Sequence, residues 1–311
     1  MGNTLEHMLV TGGAGFIGSH SVEALLNAGF RVTVLDDFSS GRRENLPSHP
    51  RLDVTPGDIR DAATVAAAMP GITRVLHLAA QVSVTASVAD PVVSASRNFT
   101  GFLNVLDAAR RAKVSRFVYA SSAAVYGTPE QLPLDESSLV APLSPYGLEK
   151  SINDQYAALF ARLYGISCLG LRYFNVYGPR QDPSSPYAGV ISIFAERAQA
   201  GKPLTIFGDG GQTRDFIYVG DVARTNAAAL QGTETGLCNV ATGVSVTLLD
   251  LVNAIEANLD RSIAVQFAPA RDGDIRLSAS RNERLVAKLG VSGFTPLKAG
   301  LKALLDVTGT G

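Results

Sequence analysis

Short apolar runs alternate with longer segments of helical apolar periodicity through the first half of the chain. That is the pattern of strands joined by crossover helices. Met8 to Val10 predict a strand, and Phe16 to Ala28 carry a helical period that Gly29 stops. Arg31 to Leu35 is a β-rich run ending on Asp36. Further strands are predicted at Arg51–Thr55, Arg74–Leu78, Ser115–Ala120 and Ile166–Leu171. Helices are predicted from Asp61 to Met69, from Asp90 to Ala112 and from Ser144 through Leu163. From about Pro179 the regular alternation gives way to Pro/Ser/Gly loops and shorter elements. These include a helix at Val190–Ala200, another opening at Gly220-Asp221, and closing helices at Asn282–Lys288 and Leu297–Leu305.

Composition narrows the partners more than the fold. Of 311 residues, 46% are hydrophobic and 18% charged, enough apolar material for a sizeable core. A net charge of −1 with no basic tract argues against nucleic acid or an anionic membrane surface as a partner. No apolar run is long enough to span a bilayer and no signal-peptide pattern opens the chain, so a cytoplasmic location is expected. The polar opening MGNTLEH is expected to fray. Cys168 and Cys238 lie in apolar, strand-like contexts and read as reduced core residues. The four His are scattered and no metal-ligand cluster is visible, so no metal is expected.

The first strand runs into Gly12, Gly15 and Gly18, with Phe16 and Ile17 opening the helix between them. Glycines in that position permit a tight turn and let a pyrophosphate approach the backbone at a helix N-terminus. Asp36, at the end of the second strand, can bind ribose hydroxyls and repels a 2′-phosphate, which favours NAD over NADP. Arg42 and Arg43 follow shortly and work against that preference. Asp37, Ser39 and Gly41 continue this edge of the expected cofactor site. In an open parallel sheet ligands lie beyond the carboxyl ends of the strands, which places Asp58, Ile59, Leu78, Ala79, Ala80 and Gln81 along the cofactor. The fold class is thus α/β, a Rossmann-type doubly wound parallel sheet with a smaller α/β substrate-binding lobe. The cofactor domain is expected over residues 1–178 with a returning segment at about 216–241, and the lobe over 179–215 and 242–311.

The stretch from Ser144 to Lys150 reads SPYGLEK. Ser144 suits a helix N-cap and Pro145 the first helical position. Tyr146 and Lys150 then share one helix face. A Tyr normally ionises near about 10, and an ammonium held close favours the phenolate. Tyr146 is therefore a candidate general acid or base. Ser121 and Ser122 end a predicted strand, beyond which other site groups are expected.

Taken in order, TGGAGFIG, Asp36, GDIRD, HLAAQ, SSAAVYG, SPYGLEK, LRYFNVYGPRQ and GDGGQTRDFIYVGDVA resemble the extended short-chain dehydrogenase/reductase superfamily over nearly the whole chain. Within it the chain looks most like a nucleotide-sugar 4-epimerase. The resemblance implies Ser122, Tyr146 and Lys150 as the catalytic set, with Ser121 sharing the role or lining the sugar pocket. Asn98 and Tyr173 join the cofactor residues. Val82, Ser83, Ser122, Asn175, Gly189 and Val190 line the sugar, Thr205 and Phe207 cradle uracil, Arg214 and Arg271 bind the diphosphate, and Asp274 binds the uridine ribose. Ala123 and Ala124 stand where sugar 4,6-dehydratases carry an Asp-Glu pair, so water elimination lacks its acid and base. A homodimer through a four-helix bundle is implied as well.

The implied reaction is redox without net redox. Tyr146 takes the 4-OH proton, the C4 hydride goes to NAD, and it returns on the other face of a 4-keto sugar that has swung about its diphosphate. Ser278, where enzymes restricted to glucose and galactose carry a bulky Tyr, and Gly189 leave room for an acetamido group. UDP-GlcNAc/UDP-GalNAc interconversion is accordingly expected, with UDP-Glc/UDP-Gal beside it, and such a product would feed surface polysaccharide synthesis. A plain UDP-glucose 4-epimerase, a UDP-glucuronate 4-epimerase and, more remotely, a non-catalytic NAD-binding regulator stay open.

Overall fold

The computed structural model describes residues 6–183, 189–270 and 275–308. The first five residues of the polar opening, Arg271 and Asp274 lie outside them. Strand β1 (His7–Thr11) leads through the Gly-rich turn into helix α1 (Phe16–Asn27). Strands β2 (Arg31–Asp36) and β3 (Leu52–Pro56) extend the sheet in parallel from one side of β1. Helix α2 (Ala62–Ala67) is capped by Asp61, whose carboxylate accepts the Ala63 N–H at 2.9 Å. Strand β4 (Arg74–His77) then pairs with the other side of β1. That reversal of strand order opens a crevice at the carboxyl ends of β1 and β4.

The single helix expected over Asp90–Ala112 is interrupted, and a helix precedes it that the apolar pattern did not announce. Helices α3 (Val84–Ala89) and α4 (Pro91–Ala95) are followed by a π turn (Ser96–Thr100) and α5 (Gly101–Arg111). The π turn widens one helical turn without ending the helix. It carries Asn98, whose side chain holds both backbone groups of Gln81: the Gln81 N–H donates to Oδ1 at 2.7 Å and Nδ2 donates to the Gln81 carbonyl at 2.8 Å.

Strand β5 (Arg116–Ser122) ends in a 3-10 turn (Ala123–Tyr126), and α6 (Pro145–Tyr164) and β6 (Ser167–Tyr173) follow. The remaining elements are β7 (Asn175–Tyr177), α7 (Val190–Gln199), β8 (Leu204–Phe207), β9 (Thr213–Tyr218), α8 (Val219–Gln231), β10 (Gly236–Val240), β11 (Ser245–Thr247), α9 (Leu248–Leu259), β12 (Val265–Ala268), α10 (Glu283–Leu289) and α11 (Leu297–Thr308). The seven-stranded parallel sheet has the order β10-β6-β5-β4-β1-β2-β3.

Successive strand residues point to opposite faces, so the sheet builds two cores. Met8, Val10, Val32 and Leu171 pack with α1 and α8, while Leu9, Val75, Phe117 and Tyr119 pack with α5 and α6. Strands β11, β9 and β7 form a second sheet and β12 and β8 a third. Around them Phe194, Ile206, Leu251 and Leu301 belong to a separate core. Phe216–Tyr218 are the end of a small-sheet strand, and the chain returns to the large sheet through α8 and β10. Cys168 and Cys238 are free and buried, and burial pushes both thiols up to about 12. No helix among the described residues is long and apolar enough to cross a membrane.

Candidate active site

The Gly-rich turn after β1 is built for close approach. Gly12 takes φ +69°, and a Cβ there would stand 2.7 Å from the Ala79 nitrogen. A Cβ on Gly18 would stand 2.1 Å from the Gly12 carbonyl oxygen, so only hydrogen fits. Gly15 is the N-cap of α1, which leaves the first amides of the helix, at Phe16 and Ile17, without intrahelical acceptors.

Asp36 ends β2 at 6% exposure. Its Oδ2 accepts the Ala14 N–H at 2.9 Å and its Oδ1 the Phe38 N–H at 2.8 Å. Burial nevertheless pushes this carboxyl up. Each oxygen keeps a lone pair, so the group can also take ribose hydroxyls. Asp37 accepts both the N–H and the hydroxyl of Ser39, at 2.9 and 2.6 Å. Gly41 packs against Ala14, where a Cβ would come within 2.9 Å of the Ala14 carbonyl carbon.

Across the crevice Leu78, Ala79, Ala80 and Gln81 follow β4, with Gln81 fixed by Asn98. Asp58 is engaged by Arg60, whose guanidinium holds its carboxyl low, and Ile59 is buried beneath Gly101. Tyr173 donates its hydroxyl to Asn226 at 2.8 Å, and burial pushes it well up. A glycine cradle, an uncovered helix N-terminus and a buried acid at the second strand end together fit a dinucleotide.

The candidate catalytic side chains meet where β5 and α6 converge. Ser144 caps α6, accepting the Gly147 N–H at 3.1 Å, and Pro145 follows as expected. The Tyr146 N–H donates to Ser87 Oγ of α3 at 3.1 Å. Ser122 accepts the Ala124 N–H at 3.1 Å and lies near enough to the Tyr146 phenol to favour its ionised form. Ser121, its neighbour on the strand, is 2% exposed, and its hydroxyl oxygen is buried without a hydrogen-bond partner among the described residues. Adjacent residues of a strand point to opposite faces, so the structure sets Ser122 beside Tyr146 and buries Ser121 on the other face.

Lys150 is buried, donates to the Ala120 carbonyl at 2.9 Å, and holds its Nζ 5.8 Å from the Tyr146 ring centroid. From sequence, Lys150 alone was the expected influence on Tyr146. In the folded chain burial is the larger effect and pushes the Tyr146 phenol up, partly offset by Ser122. Lys150 itself is brought down to about 8 by burial, against the pull of Asp154 and Glu149. The sequence had no way to weigh desolvation against the neighbouring cation.

A buried polar network backs this site. Asp154 of α6 pairs with Arg172 of β6 at 3.0 Å and accepts the Tyr119 hydroxyl at 3.1 Å. Arg172 also donates to the Tyr126 hydroxyl at 2.9 Å, and Tyr126 donates to Asn239 at 2.6 Å. Tyr126 closes the turn that begins at Ser122, so the network ties the serine loop to the Tyr/Lys helix.

The lobe contributes a cavity of about 700 Å³. Asn175, Gly189, Val190, Thr205, Phe207 and Arg214 lie on its wall, as the sequence suggested. Gln181, Gln212, Arg197, Tyr177 and Phe216 also line it and were not foreseen. Val82 is exposed, Ser83 is buried as the N-cap of α3, and Ser278 is held by Thr213 and Ser245, so none of the three is on this wall. A Cβ on Gly189 would meet the Gln181 amide nitrogen at 3.4 Å, so Gln181 fills the space expected to be open there. Gln181 stands in RYFNVYGPRQ, but a loop has no period from which its direction could be read.

A family model described as "NAD dependent epimerase/dehydratase family" matches residues 8–241. The UDP-glucose 4-epimerase of Mycolicibacterium smegmatis is 41% identical over 308 residues, covering 96% of this chain and 97% of the relative. A structure of a UDP-N-acetylglucosamine 4-epimerase from Methanobrevibacter ruminantium, in complex with UDP-N-acetylmuramic acid, superposes with a TM-score of 0.92 at 37% identity and covers 97% of both chains. The Thermus thermophilus UDP-glucose 4-epimerase in complex with NAD gives 0.89 at 40% identity over 96% of this chain and 98% of that one. The matching family is NAD-dependent, and NAD is the cofactor. The chain belongs to the NAD dependent epimerase/dehydratase family.

Proposed function

We propose that the protein is an NAD-dependent 4-epimerase of UDP-sugars, with UDP-GlcNAc and UDP-GalNAc as its principal pair. The observation that carries the reading is the buried Lys150 ammonium 5.8 Å from the Tyr146 ring with Ser122 beside the phenol, in a chain that also has a dinucleotide cradle and a separate cavity bearing Arg214. Tyr146 accepts the 4-OH proton and Ser122 holds the 4-oxygen. Lys150 supports the phenolate against the desolvation that opposes it. NAD, when bound, supplies a reversible hydride acceptor and, oxidised, one more positive charge. The C4–H and O–H bonds break as the C4 carbonyl forms, and the same steps reverse on the other face of the sugar. Arg214, with its planar fork of donors, anchors the diphosphate while the sugar turns. Outside the described residues, Arg271 and Asp274 would complete the nucleotide grip.

The likeness to a UDP-GlcNAc 4-epimerase favours the acetamido sugars. The two relatives titled UDP-glucose 4-epimerase favour a second reading, the plain hexoses. Incubation with UDP-GlcNAc and UDP-Glc separately, with NMR of the C4 proton, separates the two. Epimerisation of UDP-GlcNAc is expected; turnover of UDP-Glc alone would establish the second reading. We further propose a homodimer through α3, α4 and α6, whose Val88, Val92 and Leu148 are exposed. Light scattering at micromolar concentration tests it, and a monomer would refute it.

A further inference from the structure

Glu149 is only 4% exposed although it is a carboxylate. Three residues on from Tyr146, it flanks the Tyr146–Lys150 stripe of the helix and its carboxylate reaches α4 and the π turn. There its Oε2 accepts the Ser94 hydroxyl at 2.9 Å and Asn98 Nδ2 at 2.7 Å. Its Oε1 has no partner among the described residues. Both donors are neutral, so the carboxylate is buried without a paired cation, a state that is unfavourable unless something nearby gains from it.

The groups around Lys150 identify what gains. Asp154, the other buried carboxylate of α6, is matched by the guanidinium of Arg172. His77 of β4 is held neutral, brought down to about 3 by burial and by the Lys150 charge. Tyr119 of β5 is kept protonated by burial. Arg97, next to Asn98 on the π turn, acts on Asp58. Glu149 is therefore the carboxylate whose field reaches Lys150 without a guanidinium against it.

We infer that Glu149 is a positioning residue for the Tyr146–Lys150 pair: its unpaired buried charge adds to that of Asp154 in favouring the Lys150 ammonium, and its Oε2, through Asn98, fixes the Gln81 turn beside α6. This rests on the proposed catalytic roles of Tyr146 and Lys150. In support, the Glu149 charge raises both Lys150 and Tyr146. Removing it moves both groups in the same direction.

Glu149→Gln is the discriminating variant. Its carbonyl oxygen can still accept from Ser94 and Asn98, so the hydrogen bonds stay and only the charge goes. Both limbs of the kcat/KM–pH profile are expected to move to lower pH. The Lys150 titration, followed by NMR in isotope-labelled lysine, is expected to move down from about 8. Glu149→Ala, which also releases Asn98, is expected to add a loss of retained NAD. Unmoved limbs and an unmoved Lys150 titration in Glu149→Gln would overturn the inference, whatever the change in kcat. Tyr146→Phe separates the two levels. If it keeps turnover, the catalytic reading itself fails; if it is inactive while the Glu149→Gln profile stays in place, only the role of Glu149 fails.

Discussion

Replacing Arg172 by Met should be among the most damaging single changes that leave every apolar contact of the core in place. Arg172 and Asp154 are 3% and 6% exposed at the side chain, and the guanidinium makes two hydrogen bonds to Asp154 and one to Tyr126. Removing one partner of a buried pair leaves the other charge uncompensated, at a cost of about 3–5 kcal/mol. The upper end applies here because the Tyr126 hydroxyl loses a donor as well. For a domain of this size that is roughly 2–4 °C of Tm per kcal/mol, or about 10–20 °C in all.

Asp154→Leu should cost a similar amount, since it strands Arg172 and takes the acceptor from Tyr119. The double variant should recover most of the loss, because a hydrophobic replacement of a whole buried pair is often close to neutral. Urea denaturation of the four proteins at one fixed NAD concentration measures the cycle. A loss below about 1 kcal/mol for Arg172→Met, the size typical of a solvated surface pair, or strictly additive losses, would refute the reasoning.

Gly18→Ala puts a Cβ 2.1 Å from the Gly12 carbonyl oxygen, so the protein should purify folded with NAD retention weakened by about tenfold or more, roughly 1.4 kcal/mol; full NAD content on denaturant release would contradict this. His77 titrates at about 3 in the folded chain against the ordinary 6.5 of a solvated histidine, so between those values the unfolded chain holds the extra proton. Its contribution to stability is complete above the unfolded value and declines as pH falls, by about 1.4 kcal/mol per unit. His77→Gln should flatten that acid slope by one proton in urea titrations, and an unchanged slope would refute it.

The cofactor half of the site was legible because its chemistry is local. Glycine spacing, a strand before it, a helix after it and Asp36 at the next strand end are all features of sequence order. The convergence of Ser122 with Tyr146 followed from a strand end and a helix start. What was not legible came from tertiary packing. The π turn at Ser96–Thr100 leaves no apolar period of its own, so a single helix was read through it. Helix α3 is short and carries exposed valines, which mask its amphipathic signal. Glu149 beside Lys150 reads as a solvated helical charge until Ser94 and Asn98 close over it. The family resemblance ranks Ser122 above Ser121, but the physical reason lies in the fold: the two point to opposite faces of the strand end, and Ser122 is the one beside Tyr146.

The most direct measurement compares wild type with Tyr146→Phe on UDP-GlcNAc and UDP-Glc, following the C4 epimers by NMR and the bound NAD by release. Wild type should form the C4 epimer with no net consumption of NAD. Tyr146→Phe should keep its NAD and its fold while epimerisation falls by about 10²–10⁴, the usual contribution of a general acid–base group. Undiminished turnover in Tyr146→Phe, with NAD still bound, would contradict the assignment of Tyr146 at the centre of the site.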